Sequence, residues 1–193
     1  MKKIVLFGDS IMAGFHDGVM SDILTDAIQK HFPKDEVINV SIPGYKTSNA
    51  VTRVEQDIVS LKPDIVVLGF GANDISTTDE IKPGKFSSNL ATMIEAIGAS
   101  KVILLSPPYT DWVKNPTRPW TRQLQFELVT EHLAKQMDVS YIDLLHQMTS
   151  QSVTKLLQED GLHFTKDGYI LLESKLVPEI KATLVKQNEL VSN

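Results

Sequence analysis

Near the start of the chain stands the stretch Ile4-Val5-Leu6-Phe7-Gly8-Asp9-Ser10, in which an apolar run ends in small and polar residues. A short apolar run that stops at a turn signal is typical of a β-strand buried on both faces. The run is shorter than the roughly 7–15 residues that the core of a signal peptide needs. We therefore predict a strand over residues 4–7, a turn that presents Ser10 to solvent, and a cytoplasmic location.

Four similar runs follow along the chain, and each predicts a further strand. Between the runs, apolar residues recur at three- and four-residue spacing, which predicts helices that bury one face. Pro178 lies inside the last of these helices, where we expect it to cause a bend. The predicted strands cover residues 36–40, 65–70, 101–105 and 139–143, and the predicted helices cover residues 21–32, 51–61, 86–97, 126–137 and 169–184.

Strands that are apolar throughout and alternate with helices predict an α/β fold, with a parallel sheet covered on both faces. We expect a three-layer α/β/α sandwich whose central parallel sheet has about five strands in the flavodoxin-like order 2-1-3-4-5. The 193 residues contain no internal repeat or linker, so we predict one domain over residues 1–193. Ligands of such sheets bind where the strands end. The segments that follow the first four strands are residues 8–10, 41–44, 71–74 and a proline- and tryptophan-containing loop, residues 106–121.

The composition argues against several classes of protein and site. The chain has 19 Lys and Arg against 24 Asp and Glu, a net charge of -5, which is unlike the basic surface that nucleic acids require. It has no Cys, so disulfides, thiolate nucleophiles and Cys-ligated metals are excluded. No apolar run reaches the roughly 18 residues of a membrane span. We expect neither a nucleic-acid nor a membrane partner.

A serine on a turn at the sheet edge can act as a nucleophile if a base takes its proton. His163 stands in a loop before the last predicted helix, and Asp160 precedes it by three residues. Asp160 can fold back to hold the imidazole in the tautomer that accepts the proton of Ser10. The chain order Ser, Asp, His is one that catalytic triads use. We interpret the remaining histidines as structural or loop residues: His16, His31, His132 and His146.

The chain resembles the SGNH (GDSL-type) hydrolase family over nearly its whole length. Four blocks carry the resemblance: Phe7-Gly8-Asp9-Ser10, Asn39-Val40-Ser41-Ile42-Pro43-Gly44, Gly71-Ala72-Asn73-Asp74 and Asp160-Gly161-Leu162-His163. Phe70-Gly71-Ala72-Asn73-Asp74 and Ser106-Pro107-Pro108 are most similar to the isoamyl-acetate-hydrolysing esterase branch, whereas Leu61-Lys62-Pro63-Asp64 is shared with the thioesterase and lysophospholipase branch. The chain departs from many members at Phe164, where they have proline or a small apolar residue, and this bears on the shape of the substrate pocket.

The resemblance implies a serine hydrolase of esters or thioesters that needs no cofactor and no metal. It makes Ser10 the nucleophile, His163 the base and Asp160 the residue that orients His163. It also implies an oxyanion hole formed by the backbone N–H groups of Ser10 and Gly44 and the side-chain amide of Asn73. The expected partner is a small-molecule ester with a short acyl chain.

Further substrate-binding candidates are Asp9, which we also expect to bind loop backbone, and the aromatic residues Tyr109, Trp112 and Trp120. These rings line the substrate entrance or, equally, cover the sheet edge. The same catalytic residues could instead serve a thioesterase or lysophospholipase, or a carbohydrate acetylesterase, and the sequence leaves these alternatives open. Weaker alternatives are an inactive binding module, a flavin or nucleotide binder without the expected glycine-rich motif, and a metal hydrolase built on Asp9, Asp74 and His163.

Overall fold

The computed structural model describes residues 1–78 and 81–191. Five strands form one parallel sheet, and two further strands form a short antiparallel hairpin beside it. In chain order the strands are β1 Lys3–Gly8, β2 Phe15–His16, β3 Val19–Met20, β4 Glu36–Asn39, β5 Ile65–Gly69, β6 Val102–Leu105 and β7 Ser140–Ile142. The sheet order is β4-β1-β5-β6-β7, and each pair is parallel. The predicted fold class and the predicted order 2-1-3-4-5 are thus confirmed.

Helices cover both faces of the sheet. The helices are α1 Ile23–His31, α2 Thr47–Ala50, α3 Val54–Asp57, α4 Pro83–Ile97, α5 Trp120–Met137, α6 Leu144–Thr149, α7 Val153–Leu156 and α8 Lys166–Val191, and 3-10 turns lie at Val59–Leu61 and Ala99–Lys101. Buried residues of α1, α6, α7 and α8 form one apolar layer, and those of α2 to α5 form the other. None of the helices in the described part of the chain is long and apolar enough to cross a membrane.

Strand β1 shows why the sequence run is apolar throughout. Successive side chains of a strand point to opposite faces. Ile4 and Leu6 therefore join the α1/α8 layer, whereas Val5 and Phe7 join the α4/α5 layer. All four side chains are completely buried, so a polar residue at any of these positions would lose its contact with water.

The fold differs from the sequence-based prediction in several places, among them the short helices α6 and α7, where no helix was predicted. The predicted continuous helix over 51–61 is wrong, because this segment consists of a turn after α2, the short helix α3 and a 3-10 turn. The β-branched residues Val51 and Thr52 lie in the break, where their low helix propensity favours interruption. The hairpin of β2 and β3 was not predicted, since two residues per strand are too few to show alternation. Helix α5 begins at Trp120, six residues before the predicted helix over 126–137, so the loop ends at Pro119, two residues earlier than predicted.

Candidate active site

Ser10 stands on a tight turn at the carboxyl end of β1. A side chain at Gly8 would place its Cβ 2.3 Å from the carbonyl oxygen of Gly69, so close packing of the turn on β5 requires glycine here. The N–H groups of Ala13 and Phe15 close the turn by donating to the carbonyl oxygens of Asp9 and Ser10, each at 2.9 Å. The turn places Ser10 at the sheet edge with 8% of its surface exposed.

His163 and Asp160 reach Ser10 from the loop that precedes α8. The Oγ atom of Ser10 lies 3.0 Å from Nε2 of His163. On the other side of the ring, Nδ1 of His163 lies 2.6 Å from Oδ2 of Asp160. Because an ionised carboxylate only accepts, this contact puts the imidazole hydrogen on Nδ1 and leaves Nε2 to accept the Ser10 proton. The structure therefore brings together the three residues of the predicted triad.

The Asp160 carboxylate is held in place by its own loop. Its Oδ1 atom accepts hydrogen bonds from the backbone N–H groups of Leu162 at 2.9 Å and His163 at 3.0 Å. Partial burial raises the pKa of Asp160, but the hydrogen bonds from His163 and from these two N–H groups outweigh it and lower the pKa below its ordinary value. Asp160 is therefore a carboxylate at neutral pH, which suits it to orient an imidazole.

Gly44 and Asn73 lie on two loops that are hydrogen-bonded to one another. The Nδ2 atom of Asn73 donates to the carbonyl oxygen of Tyr45 at 3.1 Å, next to Gly44. In the same pair of loops, Thr47 donates to the Asp74 carboxylate from its backbone at 2.9 Å and its hydroxyl at 2.6 Å. Gly44 has a φ of +78°, which favours glycine, and the space where a side chain would stand is open.

Asp9 lies beneath the Ser10 turn rather than at its surface. It is 2% exposed, and its Oδ1 atom accepts the N–H of Ile11 at 3.0 Å. Burial raises the pKa of Asp9 to about 7, against the partial opposition of the hydrogen bond from Ile11. This geometry favours a role in supporting the turn over direct contact with a substrate.

We expect the substitution Asp9→Asn to change how stability depends on pH. Above pH 4 the unfolded chain loses the Asp9 proton, whereas the folded chain keeps it until about pH 7, so ionisation destabilises wild type as pH rises. Asn cannot ionise and keeps an oxygen acceptor for Ile11. Between pH 5 and pH 8 the free energy of unfolding should therefore shift in favour of the variant by on the order of 3 kcal/mol. Urea unfolding at both pH values measures the shift, and parallel pH curves for the two proteins would contradict it.

The aromatic candidates of the 106–121 loop do not form one cluster. The rings of Tyr109 and Trp120 pack against each other with centroids 6.0 Å apart. Trp112 is 47% exposed. Contact of these three residues with a substrate stays a prediction. Phe164 is completely buried and packs on Tyr169, so its side chain belongs to the core and does not shape a surface pocket.

Two neighbours of the site were not found from the sequence. The ring of Phe15 lies 4.4 Å from the His163 imidazole, centroid to centroid, and limits its movement. The Nε atom of Arg118 donates to the carbonyl oxygen of Ala72 at 2.7 Å, beside Asn73. Phe15 belongs to no motif or periodic pattern. Arg118 lies in the 106–121 loop that the sequence analysis singled out, but no motif distinguished it within that loop.

A second Asp-x-x-His pair repeats the local geometry of Asp160 and His163. Nδ1 of His146 lies 2.6 Å from Oδ2 of Asp143. With Glu127, these residues form the one group of possible metal ligands in the described ranges, with ligand atoms within 4.8 Å of one another. Glu127 already accepts a hydrogen bond from Tyr141, and none of the three belongs to the Ser10 site. The group therefore gives no reason to include a metal in the chemistry of Ser10.

The chain is similar to several known proteins. The profile of the GDSL-like lipase/acylhydrolase family matches residues 6–171. An arylesterase of Vibrio mimicus is 34% identical over 109 residues, which are 53% of this chain and 54% of the arylesterase, so the match spans about half of that relative. An isoamyl acetate-hydrolyzing esterase of Schizosaccharomyces pombe is 28% identical over 189 residues, covering 92% of this chain and 74% of that protein. The crystal structure of a lipase/acylhydrolase from Enterococcus faecalis has a TM-score of 0.91 and 41% identity, covering 94% of this chain and 96% of that one.

Proposed function

Because the chain belongs to the GDSL-like lipase/acylhydrolase family, we propose that it is a serine esterase in which Ser10 attacks carboxylic esters with short acyl chains. Membership in the family makes the chain a hydrolase of ester bonds. Beyond family membership, we propose the identity of the nucleophile and of its base, and the preferred acyl length. The observation that carries it is the continuous contact from Ser10 Oγ to His163 Nε2, at 3.0 Å, and from His163 Nδ1 to Asp160 at 2.6 Å.

In the first half of the reaction, the hydroxyl of Ser10 gives its proton to Nε2 of His163 while Oγ bonds to the carbonyl carbon of the ester. The imidazole becomes positively charged at this moment. The Asp160 carboxylate beside Nδ1 stabilises that charge and keeps the ring in place. The lowered pKa of Asp160 supports this role, because the carboxylate stays ionised throughout.

The carbonyl oxygen of the ester gains negative charge in the tetrahedral intermediate. We assign its stabilisation to the backbone N–H groups of Ser10 and Gly44 and to the amide of Asn73. One hydrogen of Asn73 Nδ2 goes to the carbonyl oxygen of Tyr45, which leaves the second hydrogen for the substrate. A donor fixed in this way needs no reorganisation when the charge develops, and this is the main source of its effect.

Collapse of the intermediate breaks the bond to the alcohol, which takes the proton from His163 and leaves. A water molecule then gives a proton to His163 and its oxygen attacks the acyl group on Ser10. The second intermediate releases the carboxylic acid and returns the proton to Ser10 Oγ. The cycle consumes one water per ester and leaves the enzyme unchanged.

The short acyl chain is supported by one relative rather than by the Ser10 geometry. One relative is an isoamyl acetate-hydrolyzing esterase, whose named substrate carries an acetyl group, and it matches 92% of this chain. We extend this preference to the present chain as part of the proposal. The substrate is then a small molecule that diffuses to Ser10.

Hydrolysis of p-nitrophenyl acetate, butyrate, octanoate and palmitate tests the proposal. We expect the largest kcat/KM with acetate or butyrate, and covalent labelling of Ser10 by a fluorophosphonate, located by mass spectrometry. A maximum at octanoate or palmitate would keep the serine mechanism but replace the short-chain assignment with a lipase or thioesterase preference. Failure of both hydrolysis and labelling would reject Ser10 as the nucleophile.

A further inference from the structure

Residues 111–118, here called the bridge segment, lie between the two halves of the proposed site. One half is the loop of Asp160 and His163, and the other is the loop of Asn73. The bridge segment is hydrogen-bonded to both loops, although it lies about 45 residues from each along the chain. It contains none of the residues to which the preceding mechanism gives a role.

The first part of the bridge segment holds the Asp160 loop by three consecutive backbone carbonyls. Lys114 Nζ donates to the carbonyl oxygen of Glu159 at 2.9 Å, and Asn115 Nδ2 donates to that of Asp160 at 2.8 Å. The backbone N–H of Asp111 donates to the carbonyl oxygen of Gly161 at 2.8 Å. This set of bonds restrains the loop from which the carboxylate and the imidazole project.

The last residue of the bridge segment, Arg118, holds the Asn73 loop. Its Nε donates to the carbonyl oxygen of Ala72 at 2.7 Å, and its Nη2 lies 3.5 Å from Oδ1 of Asn73. The positive charge of Arg118 lies beside Oδ1 of Asn73, and the Tyr45 carbonyl lies beside Nδ2. Together they fix the orientation of the Asn73 amide. The Asn73 amide therefore cannot flip without placing its NH₂ group against a cation.

The bridge segment is itself anchored to helix α5. Gln123 is completely buried, and its side chain accepts from the N–H of Thr110 at 3.0 Å and donates to the carbonyl oxygen of Thr110 at 2.8 Å. It also donates to the carbonyl oxygen of Arg118 at 2.9 Å, so one side chain closes both ends of the segment. Such a closed and bonded loop acts as a fixed support.

We infer that Asn115 and Arg118 are positioning residues, which set the relative placement of the Asp160–His163 pair and the Asn73 donor. The inference rests on the proposed function, because it concerns the geometry of that same site. Both residues act through another group: Asn115 through the backbone of Asp160, and Arg118 through the amide of Asn73. A displacement of about 1 Å in a catalytic group can lower the rate by about 10²-fold, so these distant contacts affect turnover.

The variants Asn115→Leu and Arg118→Met test the inference, with Arg118→Lys as the conservative variant and Val113→Ala as the control. Val113 is 72% exposed on the same segment. We expect kcat for p-nitrophenyl acetate to fall about tenfold in Asn115→Leu and Arg118→Met, with KM within about twofold of wild type. Arg118→Lys keeps the charge and one donor and should recover about half of that loss on a logarithmic scale. Val113→Ala should stay within about twofold of wild type.

Thermal unfolding of each variant gives the folded fraction at the assay temperature, by which kcat is corrected. A loss of kcat that disappears after this correction would show a merely structural role and overturn the inference, as would unchanged kcat in both variants. If the protein does not hydrolyse nitrophenyl esters, the rate of Ser10 labelling by the fluorophosphonate is compared between wild type and variants instead. A wild-type chain whose Ser10 is neither labelled nor active would instead contradict the proposed function on which the inference depends.

Discussion

Replacing Ser10 by alanine is expected to lower kcat for p-nitrophenyl acetate by a factor on the order of 10⁴ to 10⁶. The substitution removes the atom that forms the acyl intermediate and that lies 3.0 Å from Nε2 of His163. Since the nucleophile and its base act as a unit, His163→Ala should cause a similar loss. The double variant should be no slower than either single variant, because each one alone already abolishes the same step.

His146→Ala is a matched control for the loss of His163. Both histidines follow an aspartate by three residues, and both contact that aspartate at 2.6 Å through Nδ1. Within the part of the chain that the structure describes, the imidazole of His146 makes no hydrogen bond to a serine hydroxyl. We expect its substitution to leave kcat within about twofold of wild type. Comparable losses in the two histidine variants, or a Ser10→Ala protein that retains more than about a tenth of wild-type kcat, would contradict the assigned mechanism.

Replacing Asn73 by alanine should lower kcat by about 10²- to 10³-fold while KM changes by less than about threefold. The amide hydrogen bond to the substrate strengthens as the oxyanion forms, so its loss affects the transition state more than the bound ester. Removal of the bond from Asn73 to Tyr45 also costs about 1 kcal/mol of stability. Full kinetics on p-nitrophenyl acetate, together with a thermal melt, separate these two effects.

A raised KM with unchanged kcat would remove Asn73 from the oxyanion hole, since that pattern marks a contact made equally in the ground state and the transition state. A loss of kcat that is explained by the unfolded fraction would do the same. The side chain would then serve only to join the loops of Gly44 and Asn73.

Much of the fold was predictable because burial on both faces of the sheet leaves a simple pattern. The apolar run from Ile4 to Phe7 can place its side chains in two core layers only as a central strand. In the structure it forms β1. The other four predicted strands lie within one residue of their observed ends. Three of the four motif blocks follow strands, and parallel strands bring their carboxyl ends to one edge. The division of residues 51–61 was missed because the apolar spacing of this segment fits a continuous helix and gives no signal for the turn at Val51 and Thr52.

By itself the sequence determined the sheet, its order and the contact of Asp160 with His163, because these depend on apolar periodicity and on contacts between near neighbours. It could not distinguish Asp160 and His163 from Asp143 and His146 by spacing alone. The resemblance of Asp160-Gly161-Leu162-His163 to a family block favoured the first pair, and only the tertiary structure placed Ser10 against His163, across 153 residues of chain. The same holds for Asn115 and Arg118, whose contacts arise because packing of the loops brings together groups that no local pattern relates.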